Sequence, residues 1–189
     1  MRTAALCLLM VFTQFCIADW QLNSDRSVLN FVSIKNNQIA EVHHFLELSG
    51  TVNDNGLARV DIHLASVETN IPIRNDRMKS MLFELDLFAV ASATAKLDIQ
   101  EFAELDTGTS LNTEITLDLD LHGVKKPIEA KVKITRVTTS IWQVTSVQPV
   151  IVNASAFNLH QGVEALRAVA GLSSIGAAVP VTFNLEFTK

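Results

Sequence analysis

The sequence predicts an all-β fold, a closed antiparallel barrel of about eight strands with two short helical insertions. Apolar and polar residues alternate with a period of two along several segments. Turn-forming residues separate these segments, most clearly at residues 53–56 and at Gly123–Pro127, which we interpret as hairpin loops. Closure would remove the exposed edges that an open sheet must protect. A β-sandwich is the alternative, because periodicity shows which face of a strand is apolar but not how the sheet closes.

The clearest alternation runs through residues 115–122, where isoleucine or leucine fills each odd position and threonine, aspartate or histidine each even one. Residues 59–64, 131–135 and 182–188 follow the same period. One apolar and one polar face is typical of antiparallel strands around a single core. Further strands are predicted at Ser27–Ile34, Glu41–Val52, Thr94–Glu101, Ile141–Pro149 and Val150–Asn158.

Two stretches carry apolar residues at helical spacing instead. The first helix is predicted over Arg74–Leu85, after Pro72 and with Asn75 or Asp76 as its cap. The second is predicted over Gly162–Leu172. We find no linker or repeat between these elements, so the pattern indicates one domain.

The first eighteen residues are typical of a secretory signal peptide. Arg2 is followed by an apolar run that ends at Ile17, and Cys16 and Ala18 place small residues at the two positions that a signal peptidase inspects. An uncleaved membrane anchor is the alternative, although a spanning helix needs about 20 apolar residues. We therefore expect export, with cleavage after Ala18.

Cleavage would leave one domain over residues 19–189. It takes the length from 189 to 171 residues, the Lys+Arg count from 15 to 14 against 20 acidic residues, and the net charge from −5 to −6. A mildly acidic chain is a poor nucleic-acid partner, because phosphate binding needs a basic face. Both cysteines, Cys7 and Cys16, lie in the predicted signal peptide, so the mature chain has no thiol for a disulfide, a nucleophile or a metal site.

The inward positions of the predicted strands are mostly aliphatic. An eight-stranded barrel has room either for its side chains or for one small ligand, so these residues can fill a core or line a cavity. The candidates are Leu29, Phe31, Ile62, Leu64, Leu97, Leu117, Leu119, Ile134 and Phe183, together with Met78 and Leu82 of the first helix.

Catalytic and metal-binding patterns are weak. His43 and His44 are adjacent on a predicted strand, so their side chains point to opposite faces and do not converge on one ion. His63, His122 and His160 show no ligand spacing. The chain has neither a Gly-x-Ser-x-Gly elbow nor a glycine-rich phosphate loop. We expect no metal site and no catalytic residue.

A set of short segments is more specific in its order and spacing than any one segment alone. The set is Ser27–Phe31, Leu48–Val52, Ala65–Thr69, Ile73–Met78, Leu82–Phe83 and Leu121–Pro127. With these segments the chain resembles the YceI-like, polyisoprenoid-binding family from Trp20 to Phe187.

The resemblance implies a lipocalin-like antiparallel barrel in the periplasm of a Gram-negative bacterium. Its interior would hold a long isoprenoid chain, such as the tail of a quinone or of a polyprenyl phosphate, in contact with the inward residues named above. It implies no catalytic residue, no metal and no cofactor other than such a bound lipid or quinone. An enzyme acting on an apolar substrate in a similar barrel is the alternative function. Transient contact with a membrane surface and a homodimer both stay open at this point.

The chain departs from the family near its C-terminus. Many relatives carry a Phe-Gly pair where this chain has Phe157-Asn158, and the segment Gln161–Ala178 is long and rich in alanine. The length and head group of the ligand therefore stay open. Arg74 and Arg77 are the head-group candidates, since a guanidinium beside the barrel mouth can hold a phosphate in bidentate fashion. The alternative is a surface ion pair with an acidic residue of the same helix.

Overall fold

The computed structural model describes residues 19–189, so the signal peptide predicted for residues 1–18 lies outside the described residues. Within the described range the chain forms twelve β-strands and three α-helices. The strands are β1 Trp20–Leu22, β2 Val28–Lys35, β3 Ile39–Phe45, β4 Leu48–Val52, β5 Leu57–His63, β6 Val67–Glu68, β7 Val90–Lys96, β8 Ser110–Leu121, β9 Val124–Thr138, β10 Ile141–Ser146, β11 Val150–Asn153 and β12 Ala178–Thr188. The helices are α1 Pro72–Arg77, α2 Ile99–Ala103 and α3 His160–Val169.

Eight of these strands close into an antiparallel barrel. Their order around the ring is β1, β4, β5, β7, β8, β9, β10 and β12, and β12 returns to β1. The ring is closed by the pairing of Leu22 with Phe187 and of Trp20 with Val52. The predicted barrel is therefore confirmed, and the sandwich alternative is wrong.

The other four strands extend the wall of the barrel on one side. The first half of β12 pairs with β11 and β2, whereas its second half pairs with β10 and β1. Strands β3 and β6 continue the sheet beyond β2. One-turn 3-10 segments at Ser24–Arg26 and Leu64–Ser66 join β1 to β2 and β5 to β6, so each pair acts as one bent strand.

The barrel has two unlike ends. At the α2 end, α2 lies beside the hairpin loop 53–56, where the N–H of Leu97 donates to the carbonyl of Gly56 at 2.7 Å. At the α3 end, α1 continues into a π-helical turn over Met78–Leu82, and α3 packs against that turn. No helix in residues 19–189 is both long and apolar enough to cross a membrane.

The alternation predicted for the strands is present in β8. Its odd-numbered residues, from Leu111 to Leu121, face inward, and its even-numbered residues, from Ser110 to Asp120, are exposed. Because the period is two, each strand of the ring presents one row of side chains to the interior and one row to solvent.

The hairpin predicted at Gly123–Pro127 is shorter than expected. The turn consists of His122 and Gly123, whose φ angles of 52° and 73° are typical of a two-residue type I′ turn. Strand β9 begins at once with Val124. Pro127 fits in β9 because β10 pairs with β9 only from Val132 onward, which leaves the proline without a partner strand on that side.

The strand predicted over Thr94–Glu101 is wrong in its second half. Strand β7 stops at Lys96, and the carboxylate of Asp98 accepts a hydrogen bond from the N–H of Gln100 at 3.1 Å. This N-cap starts α2, a helix that the apolar pattern does not predict.

The strand predicted over Val150–Asn158 also ends early. Strand β11 stops at Asn153, whose side chain accepts a hydrogen bond from the N–H of Ser155 at 3.0 Å and opens a 3-10 turn. The second predicted helix is present and begins two residues earlier than expected, at His160.

The first predicted helix is also present, but its predicted caps are wrong. It begins at Pro72, with Ile71 at the N-cap position. Asn75 lies inside the helix, where its side-chain oxygen accepts hydrogen bonds from the N–H of Thr69 at 2.9 Å and from the hydroxyl of Thr69 at 2.5 Å. Asn75 therefore fixes the chain that enters the helix rather than its first turn.

We predict that Gly56→Ala destabilises the protein by about 1–3 kcal/mol more than Gly108→Ala, as overpacking does. Both glycines have a positive φ, 78° and 85°, so both substitutions strain the backbone. A Cβ at Gly56 would in addition meet the carbonyl oxygen of Leu97, whereas a Cβ at Gly108 would meet nothing within 4 Å. Urea unfolding measures both values, and equal losses would show that the hairpin 53–56 does not pack against the α2 segment as described.

Candidate functional site

A cavity of about 320 Å³ lies inside the barrel. It occupies the half nearest the α2 end, because the residues that line it include Trp20 at the start of β1, Val52 at the end of β4 and Phe187 near the end of β12. Ile99 and Phe102 of α2 also line it, so this helix forms part of the cavity wall. The volume is at the lower end of the range of about 300–1,000 Å³ for ligand pockets.

Alanine side chains on neighbouring strands create this space. Ala58 of β5 pairs with Ala95 of β7, and Ala93 lies at the next inward position of β7. Ala130 of β9 lines the cavity from β9. Protein interiors normally pack to near crystal density. Because the number of strands fixes the barrel diameter, alanine methyl groups at inward positions are too small to fill the interior. The cavity therefore follows from the small inward residues of the wall.

The half of the barrel at the α3 end is filled by larger side chains. The ring of Phe45 lies between those of Phe31 and Phe83, with centroid distances of 5.3 and 6.0 Å. Leu64 and Met78 complete this core and are only 2% and 6% exposed. Aromatic and long aliphatic side chains thus close the barrel below the cavity.

The structure divides the predicted lining residues between these two halves. Those that line the cavity are Leu29, Ile62, Leu97, Leu117, Ile134 and Phe183. Those that do not line it, and that pack in the core at the α3 end, are Phe31, Leu64, Met78, Leu82 and Leu119. Leu117 and Leu119 both face inward from β8, but Leu119 lies two residues closer to the α3 end, where partner side chains fill the interior.

Some residues that line the cavity are not predicted from the sequence. Arg136 is the one among them with a charged side chain, as far as residues 19–189 are concerned. Its position in β9 continues the inward row of Val132 and Ile134, so an extended alternation would have found it. Trp20 and Trp142 line the same region, with their rings edge to face at a centroid distance of 6.2 Å.

The family model of the YceI-like domain matches residues 20–187 of this chain. The chain belongs to the YceI-like family. Its lipocalin-like fold, predicted from the resemblance, is confirmed by this match and by the closed barrel. No curated protein sequence matches the chain significantly.

Two solved structures are similar in fold to this YceI-like protein. One is a polyisoprenoid-binding domain from Saccharophagus degradans implicated in plant cell wall breakdown, with 36% sequence identity and a TM-score of 0.87. The match covers 89% of this chain and 97% of that domain. The other is BcnA from Burkholderia cenocepacia, with 18% identity, a TM-score of 0.64, and coverage of 87% and 98% respectively, which shows the fold alone.

Neither predicted head-group arginine of this YceI-like protein lines the cavity. Arg74 is on α1 at the α3 end, where Nη1 donates to the carboxylate of Glu41 at 2.7 Å and Nη2 donates to the carbonyl of Thr69 at 2.6 Å. Its ion-pair partner lies on β3 and not on its own helix. The hydrogen bond from Lys35 lowers the pKa of Glu41, burial offsets part of this effect, and the hydrogen bond from Arg74 lowers the pKa further.

The histidines lie in separate structural settings. His43 is buried, and its Nε2 lies 2.9 Å from the hydroxyl of Ser33. Burial lowers the pKa of His43, and the nearby charge of Arg74 lowers it further. His122 is also buried, with Nε2 at 2.9 Å from the carboxylate of Glu84. In the described part of the chain no three His, Cys, Asp or Glu side chains come together as a metal site.

The chemistry of the cavity wall suits binding rather than bond breaking. Among the described residues, none that lines the cavity is an aspartate, glutamate, histidine, serine or cysteine. Thr94 lies between the inward residues Ala93 and Ala95, so its hydroxyl points away from the cavity, and Arg136 contributes the one charge. Such a wall can hold an apolar molecule by contact and by exclusion from water, and it presents no carboxylate or imidazole to act as a general base.

Proposed function

We propose that this YceI-like protein is a periplasmic binding and carrier protein for an isoprenoid-type lipid. The observation that carries the proposal is the apolar cavity in the α2 half of the barrel, formed where Ala58, Ala93, Ala95 and Ala130 leave the interior unfilled. The relative from Saccharophagus degradans, 36% identical, is a polyisoprenoid-binding domain, and this supports the same class of ligand here.

The cavity volume limits how much of the ligand the barrel can enclose in this conformation. A cavity of about 150 Å³ takes up benzene, so about 320 Å³ corresponds to on the order of a dozen carbons, or two to three isoprene units. The remainder of a longer chain would lie outside the cavity, or the wall would have to move. We therefore propose that the cavity holds one end of the lipid.

The expected net affinity is modest. Transfer of about a dozen carbons from water into the cavity is favourable by roughly 10 kcal/mol of free energy, at about 0.8 kcal/mol per CH₂. In the cell the lipid would come from a membrane, which is as apolar as the barrel. Most of this transfer free energy would therefore be lost on leaving the membrane and regained on binding. A carrier needs such a balance, since the lipid must be both taken up and released.

We propose a binding protein rather than an enzyme because, within residues 19–189, the cavity wall has no carboxylate, no imidazole and no nucleophile paired with a base. We also retain the proposal of export to the periplasm. It rests on the apolar run up to Ile17 and on the small residues Cys16 and Ala18.

We predict that Ala95→Leu weakens binding of farnesol, a probe with three isoprene units, by at least about tenfold. The added side chain would take up cavity space that the ligand needs. Because that space is empty, the free energy of unfolding without lipid should fall by less than about 1 kcal/mol, whereas overpacking a solid core costs about 1–3 kcal/mol. Fluorescence displacement and urea unfolding measure the two quantities.

The matched control is Ala40→Leu, the same change on an exposed position of β3. It should alter neither farnesol binding nor stability. A destabilised Ala95→Leu variant whose farnesol affinity is unchanged would show that the barrel interior is packed and that farnesol binds elsewhere.

We predict that protein recovered from the periplasm of a Gram-negative host begins at Asp19. Intact-mass measurement of that fraction checks the cleavage site directly. A Leu9→Arg variant places a charge in the apolar run and should stay unprocessed in the cytoplasm. Exported protein that retains residues 1–18 would contradict the signal peptide.

A further inference from the structure

Arg136 is the one cation whose side chain lines the cavity in the described part of the chain. The neighbouring residues of its inward row, Val132 and Ile134, are 2% and 4% exposed, so the row changes from buried aliphatic to charged at the α2 end. A guanidinium is a planar cation with five N–H donors. The apolar cavity therefore ends at a positive charge.

The guanidinium is held in place by its surroundings. Its Nη1 donates to the carbonyl of Leu105 at 2.8 Å. Its central carbon lies 5.7 Å from the ring centroid of Trp142, which pairs with Arg136 across β9 and β10. The backbone of Arg136 also accepts a hydrogen bond from the N–H of Gly108 at 2.7 Å. The contacts with Leu105 and Trp142 hold the guanidinium at the cavity rim, and the hydrogen bond from Gly108 holds the backbone beneath it.

A second cation lies on the same aromatic row. The Nζ of Lys189 lies 5.6 Å from the ring centroid of Trp20, whose ring packs edge to face against Trp142. The same Nζ lies 3.5 Å from the carboxylate of Asp54, with which it forms an ion pair. Arg136, Trp142, Trp20 and Lys189 thus form one continuous rim at the α2 end. Cations held over aromatic faces are stabilised there by the ring quadrupole.

Acidic side chains also occur at this end of the barrel. They are Asp54 of the hairpin loop 53–56 and four residues on or next to α2, Asp98, Glu101, Glu104 and Asp106, and all five are exposed. Exposed charges are screened by salt over about 8–10 Å. Arg136 instead borders an apolar space, where screening is weaker and a charge–charge contact counts for more.

From this geometry we infer that Arg136 binds an anionic head group, such as a phosphate or a carboxylate, at the end of the apolar chain held in the cavity. The inference rests on the proposed function and specifies its ligand: a lipid whose tail fills the alanine-lined space and whose terminal group accepts charge-assisted hydrogen bonds. Arg136 thus takes the head-group role for which the sequence offers Arg74 and Arg77 as candidates.

Three probes with the same fifteen-carbon tail test the inference: farnesyl phosphate, farnesoic acid and farnesol. Hydrogen bonds to a charged group predict that the wild-type protein binds both anions about ten- to a hundredfold more tightly than farnesol. The ratio of the two anions shows whether phosphate or carboxylate is the better match. Arg136→Met, which keeps an unbranched apolar stem and removes the guanidinium, should bind all three with the affinity of farnesol.

Two further variants keep the test decisive. Arg136→Lys retains the cation without the planar fork and should keep part of the anion preference, which separates loss of charge from loss of the Leu105 contact. Arg74→Met removes a guanidinium outside the cavity and should leave the full preference. Isothermal titration calorimetry at two salt concentrations gives every affinity.

Equal binding of the anions and farnesol to the wild-type protein would overturn the head-group assignment and leave the cavity function standing. A preference that survives in Arg136→Met, or that disappears equally in Arg74→Met, would also overturn it. If farnesol and both anions all fail to bind, the proposed function is wrong, and the head-group assignment to Arg136 is wrong as well.

Discussion

The closing pairing of β12 with β1 is the constraint on which the rest of the structure depends. Once eight strands form a ring, the interior diameter is fixed by strand number and tilt, and each strand contributes one inward row. The size of those inward residues then decides whether the interior is core or cavity. At the α3 end Phe31 and Phe45 of the adjoining strands β2 and β3, together with Phe83, fill the interior, and at the α2 end three alanines of β7 and β5 leave it open.

The same two-part interior would allow the proposed ligand binding and the stability of the fold to coexist in one small barrel. The packed half, with Leu64 and Met78 almost fully buried, stabilises the fold. The alanine-lined half contributes less to stability, because each missing methylene forgoes burial worth about 0.8 kcal/mol. A ligand whose carbons occupied the space would gain this burial free energy on binding. Arg136 at the rim would add selectivity for the head group.

Sequence periodicity predicts the fold well because it reports which side of a strand faces inward. It predicts that Leu117 and Leu119 both face inward, yet only Leu117 lines the cavity. Alternation does not show how far along the barrel axis an inward residue lies. The cavity depends on partners across the ring, such as Ala95, which are distant in sequence. The family resemblance supplies the ligand class that we propose, but not Arg136, the head-group residue that we propose. Helix α2 is not predicted because the N-cap Asp98 starts a helix within a segment whose apolar pattern favours a strand.

The central claim is that the interior holds an isoprenoid lipid, and mass spectrometry of an organic extract tests it most directly. The protein should be purified without detergent from the periplasm of a Gram-negative host. The account predicts an isoprenoid-tailed lipid at about one molecule per chain, retained through gel filtration. An extract without lipid, together with a crystal structure in which side chains fill the space beside Ala93 and Ala95, would contradict the account.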